Sequence, residues 1–252
     1  MSVPSNRVMG YWNVGIMEYW KITSSPSLSF HHSITPISSL MVPMIQESNE
    51  TALAQELQLI SGVKIKVSEP LARYTSMKVG GPADFFIEVE NAAALTRVLR
   101  TLNRYGTNFC LLGNGSNVLI SDRGLRGAVI HLAGEFKQVE WREEGEIVRV
   151  RVGAAFAVTQ LVREAARKGY AGLEFAEGIP GTIGGALFMN AGAYGSEFEK
   201  VIDQVDGFTR EGEPIRFVQE RNDLYLSRFT FAAGHGGYAR CGFDCAKKIP
   251  RK

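Results

Sequence analysis

The chain has 252 residues and a mass of 27.7 kDa, with 45% hydrophobic and 21% charged residues, which indicates a globular protein of one to two domains. Twenty-eight basic against 26 acidic residues leave a formal charge of +2, too small to indicate a nucleic-acid or membrane-surface partner. Three cysteines exclude a disulfide framework and suggest a reducing compartment, and the chain has no apolar run long enough to span a bilayer.

Residues 1–46 differ from the rest. They carry only Arg7, Glu18 and Lys21 as charged residues, with nine serines and four prolines, and sustain no helical or strand period. The first alanine is Ala52, so a signal-peptide cleavage site of the usual small-residue kind is missing, and the segment reads as a disordered or mis-started leader. A normal pattern begins directly after Met41 and Met44.

Ser48–Gly62 then reads as a helix, with Leu53, Leu57 and Ile60 on one face and Gly62 as its stop. Phe85–Glu90 reads as a strand. Asn91–Tyr105 predicts a second helix capped by Asn91, with Leu95, Val98, Leu99 and Leu102 as its buried stripe and Gly106 ending it. Asn108–Gly113 and Asn117–Ser121 read as short strands around a Gly-Asn-Gly-Ser turn, followed by a strand at Gly127–Leu132. Phe136–Trp141 and Ile147–Gly153 predict a hairpin, Ala155–Lys168 a third helix, and Val201–Thr209 with Ile215–Glu220 a second hairpin. Hairpin-paired strands interrupted by helices indicate an α+β fold rather than a repeated parallel βαβ sheet. Residues 232–252 end the chain as a basic, glycine-rich tail. Cys241, Cys245 and nearby His235 fall short of a zinc-ligand pattern, so no metal is expected.

Two glycine-rich stretches stand out. In the first, Gly113, Asn114, Gly115, Ser116 and Asn117 sit between apolar runs. Successive N–H groups in such a turn make an anion nest suited to a diphosphate. The same residues also suit a plain Asn-Gly hairpin turn. The Rossmann pattern is excluded, because its third glycine is missing and Val118–Ile120 does not open a helix. The second stretch runs from Gly178 through Ile179, Pro180, Gly181, Thr182, Gly184, Gly185 and Ala186 to Asn190, Gly192, Ala193, Tyr194 and Gly195. Thr182 is placed to cap a short helix whose face is bared by Gly184 and Gly185. Two helical glycines in a row serve either close backbone packing or a flat ligand, and both readings stand. No G-x-S-x-G elbow, P-loop or H-E-x-x-H occurs. His131 reads as a satisfied core or edge residue, and Cys110 as apolar filler.

The segments Arg73–Asp84, Leu112–Ser121 and Gly172–Gly195, in that order, resemble the UDP-N-acetylenolpyruvoylglucosamine reductases of bacterial peptidoglycan synthesis over roughly residues 45–231. The resemblance implies an FAD-binding fold of the vanillyl-alcohol-oxidase type, built of two α+β subdomains within residues 47–231. It implies FAD held by Gly80, Gly81, the Gly113–Asn117 loop, Ile179–Ala186 and Asn190–Tyr194, the first loop taking the diphosphate. It also implies a cytoplasmic monomer that uses NADPH to reduce the enolpyruvyl ether of UDP-N-acetylglucosamine. Arg228, in Ser227-Arg228-Phe229-Thr230, is the candidate for stabilising the developing enolate, although the family's tyrosine and serine neighbours are replaced. The family's late Gly-Ser-x-Phe-Lys-Asn-Pro segment has no match, which leads to the expectation of a chain lacking the substrate domain and turning over weakly. The alternatives are a flavin-holding module without reductase activity, another flavin oxidase of this fold, and a product that does not fold stably.

Overall fold

The computed structural model describes residues 49–218, together with the backbone of 245–246 and 248–250. Helix α1 covers 49–58 and buries Leu53 and Leu57, with Ile60 just beyond it. Strand β1 (Val63–Pro70) follows and pairs antiparallel with β2 (Pro82–Val89). Helix α2 (Ala92–Arg104) starts where the sequence predicts: the Asn91 side chain accepts the N–H of Ala94 at 2.8 Å. Its stripe of Leu95, Val98, Leu99 and Leu102 is fully buried.

The first sheet corrects the hairpin reading of residues 108–121. Strand β3 (Phe109–Leu111) pairs parallel with β4 (Leu125–Leu132), and β4 in turn pairs parallel with β2, giving the order β1-β2-β4-β3. No strand forms over 117–121. Two parallel neighbours cannot be joined by a tight turn, and the chain must travel back along the sheet before starting the second strand. Residues 112–124 make that return, so the first glycine loop is a crossover. Its Asn-Gly pair misled because a type I′ turn needs positive φ at both central residues. Gly115 has φ +61°, but Asn114 is not in that region.

The strand period of two separates two cores. Phe85, Ile87 and Val89 of β2 and Ala128, Ile130 and Leu132 of β4 face the large core under α1 and α2. Phe86 and Val129 point the other way, into a smaller core with Leu71, Ala83, Leu112 and Ile120, packed against by Tyr74, Cys110 and Val118. The crossover loop is thus laid over the second face of the sheet.

The rest of the described chain packs on the large core. Strands β5 (Val139–Glu144) and β6 (Ile147–Val152) form the expected hairpin, preceded by a 3₁₀ turn at Gly134–Lys137 where a strand start was predicted. Helix α3 (Val158–Arg167) buries Val158, Leu161, Val162 and Ala165. Helix α4 (Ile183–Phe188) leads into a hairpin of β7 (Gly192–Ala193) and β8 (Ser196–Glu197) that was not foreseen. The second predicted hairpin is β9 (Gln204–Phe208) with β10 (Pro214–Val218). From the tail, β11 (Cys245–Ala246) pairs with β9 and β12 (Lys248–Pro250) with β6. One mixed sheet and smaller antiparallel sheets, packed with helices, make an α+β fold, as predicted. No helix among the described residues is long and apolar enough to cross a membrane.

Two outcomes follow from the packing. Leu99→Ala, at a fully buried site of α2, lowers the unfolding free energy by about 2–5 kcal/mol in urea titration. Burial pushes the Cys110 thiol from its ordinary 9.0 up to about 11. The native state therefore holds that proton more tightly than the unfolded chain does. The associated stability is intact at neutral pH and is lost as pH rises from about 9 through about 11. In a Cys241→Ser, Cys245→Ser background, Cys110 reacts with a thiol reagent near pH 8 at least about tenfold more slowly than in the unfolded chain.

Candidate functional site

Three segments far apart in sequence meet around the loop that crosses the first sheet. The crossover loop 112–117 is the centre. A Cβ added at Gly115 would lie 2.1 Å from the carbonyl oxygen of Tyr74 and 2.7 Å from Cα of Thr75. The Ser76 N–H donates to the Gly115 carbonyl at 3.0 Å. On its other side, a Cβ at Gly113 would lie 2.5 Å from Thr182 Oγ1. The Ser116 hydroxyl donates to the carbonyl of Pro180 at 3.4 Å. The loop is therefore clasped between the 73–81 segment and the 178–186 segment.

The 73–81 segment is itself fixed to the crossover. The Gly81 N–H donates to the Ser121 carbonyl at 2.9 Å, and a Cβ at Gly81 would overlap the Asp122 carbonyl oxygen at 2.0 Å. Gly80 at φ +137° lies against Ile120. Thr75, only 1% exposed, donates its hydroxyl to the Val79 carbonyl at 2.8 Å and closes this turn. Asp84 braces the far side: its carboxylate accepts the Gly127 N–H at 2.7 Å and pairs with Arg126 at 2.6 Å, beside the register shift between β2 and β4. Sequence reasoning missed Thr75 and Asp84 as supports. Both lie in the recognised 73–84 stretch, but only the fold shows what they hold.

In the second glycine stretch the two helical glycines differ. Thr182 caps α4, accepting the Gly185 N–H at 3.3 Å, as predicted. Gly184 serves close packing: a Cβ there would lie 3.0 Å from Ala154 Cβ, and its N–H donates to the Ala154 carbonyl at 2.8 Å. Gly185 is different. It is exposed, and a Cβ there would meet nothing nearer than Thr182 Oγ1 at 3.4 Å. One glycine face is thus filled by protein and the next is open.

Asn190–Tyr194 stand apart from the crossover loop. Asn190, at φ +43°, accepts the Glu199 N–H at 3.0 Å and donates to its carboxylate at 3.3 Å. Ala191 donates to Ala186 at 2.8 Å. Tyr194 (φ +52°) and Gly195 (φ +79°) form the tip of the β7–β8 hairpin, and the Tyr194 side chain is 87% exposed. Among the described residues no hydrogen bond joins 190–194 to 113–117. Arg228 lies outside the described residues, as do the leader and the tail candidates His235 and Cys241. Among the described residues no group of His, Cys, Asp and Glu is arranged to hold a metal ion. His131 is satisfied as expected, its ring Nδ1 2.9 Å from the Leu112 carbonyl.

The chemistry of the loop follows from its donors. Among the described residues no hydrogen bond is donated by the backbone N–H groups of Gly113, Asn114, Gly115, Ser116 or Asn117. Consecutive N–H groups without a protein acceptor bind an anion with several oxygens, a diphosphate above all. Exposed apolar side chains stand on the two segments that meet at Gly80 and Ile120: Val79 and Leu119. Polar donors beside an apolar rim fit a molecule that joins phosphates to flat rings, and FAD has that composition.

Comparison with known proteins agrees. The FAD binding domain family matches residues 83–217. A UDP-N-acetylenolpyruvoylglucosamine reductase 1 of Bacillus cereus is 41% identical over 152 residues, covering 60% of this chain and 49% of the relative. The chain thus spans about half the length of that curated relative. The crystal structure of UDP-N-acetylenolpyruvylglucosamine reductase from Thermus caldophilus superposes with a TM-score of 0.55 at 31% identity, over 75% of this chain and 63% of that one. A VAO-type flavoprotein from Myceliophthora thermophila C1 shares the fold at 12% identity, with a TM-score of 0.54 over 81% of this chain and 47% of that one. With just over half of its residues in the matched domain, this chain belongs to the FAD binding domain family and has the α+β fold of the vanillyl-alcohol-oxidase-type flavoproteins.

Proposed function

We propose that the chain is the flavin-holding part of a UDP-N-acetylenolpyruvoylglucosamine reductase, with FAD bound across the interlocked turns. The observation that carries this is the run of backbone N–H groups from Gly113 to Asn117, donors without a protein acceptor among the described residues. The Gly113–Asn117 loop holds the diphosphate. Gly80, Gly81 and the stretch Ile179, Pro180, Gly181, Thr182, Gly184, Gly185 and Ala186 supply walls around it. The open face at Gly185 suits a flat ring, which a side chain there would displace. Asn190, Gly192, Ala193 and Tyr194 line the approach from the β7–β8 hairpin. When bound, FAD would pass reducing equivalents from NADPH to the enolpyruvyl double bond of the UDP-N-acetylglucosamine ether. Arg228 would stabilise the negative charge that develops on that substrate.

The similarity to the reductases supports this reading over another flavin oxidase of the same fold. Residues 47–231 would be the flavin unit, with 1–46 a leader and 232–252 a tail. The protein would act as a cytoplasmic monomer. The 252 residues alone would hold flavin but oxidise NADPH little faster with the enolpyruvyl ether than without it, since the matched part is about half of a reductase.

Two measurements test the reading. The purified chain binds FAD with quenching of flavin fluorescence, and Gly115→Val weakens that binding by more than about tenfold, because the added side chain runs into Tyr74 and Thr75. A wild-type chain that stays colourless and gives no calorimetric signal with FAD refutes it. Stopped-flow NADPH oxidation by the flavin-loaded chain, with and without the enolpyruvyl ether, then separates reductase from binding module. A substrate-dependent rate of about 1 s⁻¹ or more assigns turnover to these 252 residues.

A further inference from the structure

The flavin reading leaves unexplained how the crossover loop keeps its distance from the sheet. The loop's entry is tied directly to β4, where the Leu112 N–H donates to the Ile130 carbonyl at 2.9 Å, whereas Gly115 rests on the backbone of Tyr74, a residue tethered on several sides. The Tyr74 ring stacks on Phe86 with centroids 4.1 Å apart and planes at 24°. Phe86 stacks in turn on His131, at 5.8 Å and 26°. The Tyr74 hydroxyl accepts from Lys66 Nζ at 2.9 Å and donates to Glu69 Oε1 at 2.8 Å. Lys66 and Glu69 lie 3.6 Å apart, and the Glu69 side chain is only 12% exposed. Both belong to β1, and Lys66 is the register partner of Phe86. Ring and hydroxyl are therefore both pinned to the sheet.

The backbone of the same residue is the surface on which the loop rests. The Tyr74 carbonyl oxygen is the atom nearest to a Cβ built at Gly115, and the next hydrogen bond along the segment runs from the Ser76 N–H to the Gly115 carbonyl at 3.0 Å. The loop's entry is held on the same aromatic stack. His131 Nδ1 lies 2.9 Å from the Leu112 carbonyl, so Nδ1 carries the hydrogen and donates it. One aromatic row, Tyr74–Phe86–His131, thus carries Gly115 at one end and, with the Leu112–Ile130 backbone bond, holds Leu112 at the other.

We infer that Tyr74 is a positioning residue for the diphosphate loop: it fixes the height of Gly115 above the sheet, and with it the placement of the N–H groups from Gly113 to Asn117. This rests on the flavin reading and adds to it a residue whose ring and hydroxyl are both engaged by the protein itself. The side chain acts through its own main chain, because the stack and the two hydroxyl bonds hold the carbonyl against which the loop packs. Losing the hydroxyl removes its bonds to Lys66 and Glu69, and losing the ring removes the stack on Phe86 as well.

The test uses the full chain and three probes: FAD, ADP and riboflavin. ADP carries a diphosphate without the flavin, and riboflavin carries the ring system without phosphate. Tyr74→Phe keeps the stack and removes both hydroxyl bonds. Tyr74→Leu removes the stack too. In Tyr74→Phe, FAD and ADP bind roughly three- to tenfold more weakly by the same factor, riboflavin changes less than about twofold, and the melting temperature of the ligand-free chain moves by no more than about 2 °C. In Tyr74→Leu the loss for FAD and ADP exceeds about tenfold. Should Tyr74→Leu fail to fold, Tyr74→Phe decides alone. Unchanged FAD and ADP affinities overturn the inference. So does an equal weakening of all three probes together with a lowered melting temperature, the pattern of a purely structural residue. A wild-type chain that binds neither FAD nor ADP refutes the flavin reading and this inference with it, whereas wild-type binding with an insensitive Tyr74 refutes the inference only.

Discussion

Everything at the candidate site depends on the parallel pairing of β3 with β4. Parallel neighbours force the connecting chain to run back over the sheet, and α2 already occupies one face. Residues 112–124 must therefore cross the other face. There they need a small core of their own, which Phe86, Val129, Leu112 and Ile120 provide. The glycines of the crossover are consequences of this route. At Gly113, Gly115 and Gly81 the backbone approaches other protein atoms so closely that a Cβ would lie within 2.5 Å of them. The bareness that suggested a ligand is in the first place a bareness for packing. The donors left over, rather than the missing side chains, point to an anion.

Much of the scaffold was readable from the chain. The stripe of α2, its Asn91 cap and the β5–β6 hairpin need only local information, and the structure places them as expected. Strand β1 escaped notice because its pattern is broken. Val63, Ile65 and Val67 do alternate with Lys64 and Lys66, but the alternation spans only five residues before Ser68, at φ +53°, and Glu69 end it. Those same features blunt an edge strand against pairing with a second chain. The parallel register of β3 was invisible for a different reason. Nothing in Phe109–Leu111 names its partner, and the adjacent Asn-Gly pair advertises a hairpin. The hairpin tip with both φ values positive lies instead at Tyr194–Gly195, where an exposed tyrosine adopts a backbone that asparagine normally favours.

The site was legible as a set of motifs and illegible as an arrangement. Gly113–Asn117 and Gly178–Ala186 stood out by composition, but their mutual contact through Gly113 and Thr182 is a property of the fold. The supports at Thr75, Asp84 and Tyr74 carry no signal that separates them from ordinary polar or aromatic residues. Each is recognised only when its partner, Val79, Gly127 or Phe86, is brought beside it.

The clasp between the turns also bears on how a ligand would arrive. Each turn is held by neighbouring main chain and by buried side chains, so the cradle has its shape beforehand. Association then need not bear the entropy of ordering a floppy segment, which for mobile loops takes a large share of the interaction energy. A receptor built in advance in this way discriminates by fit: it welcomes a guest of the right spacing and has little means of moulding itself around any other.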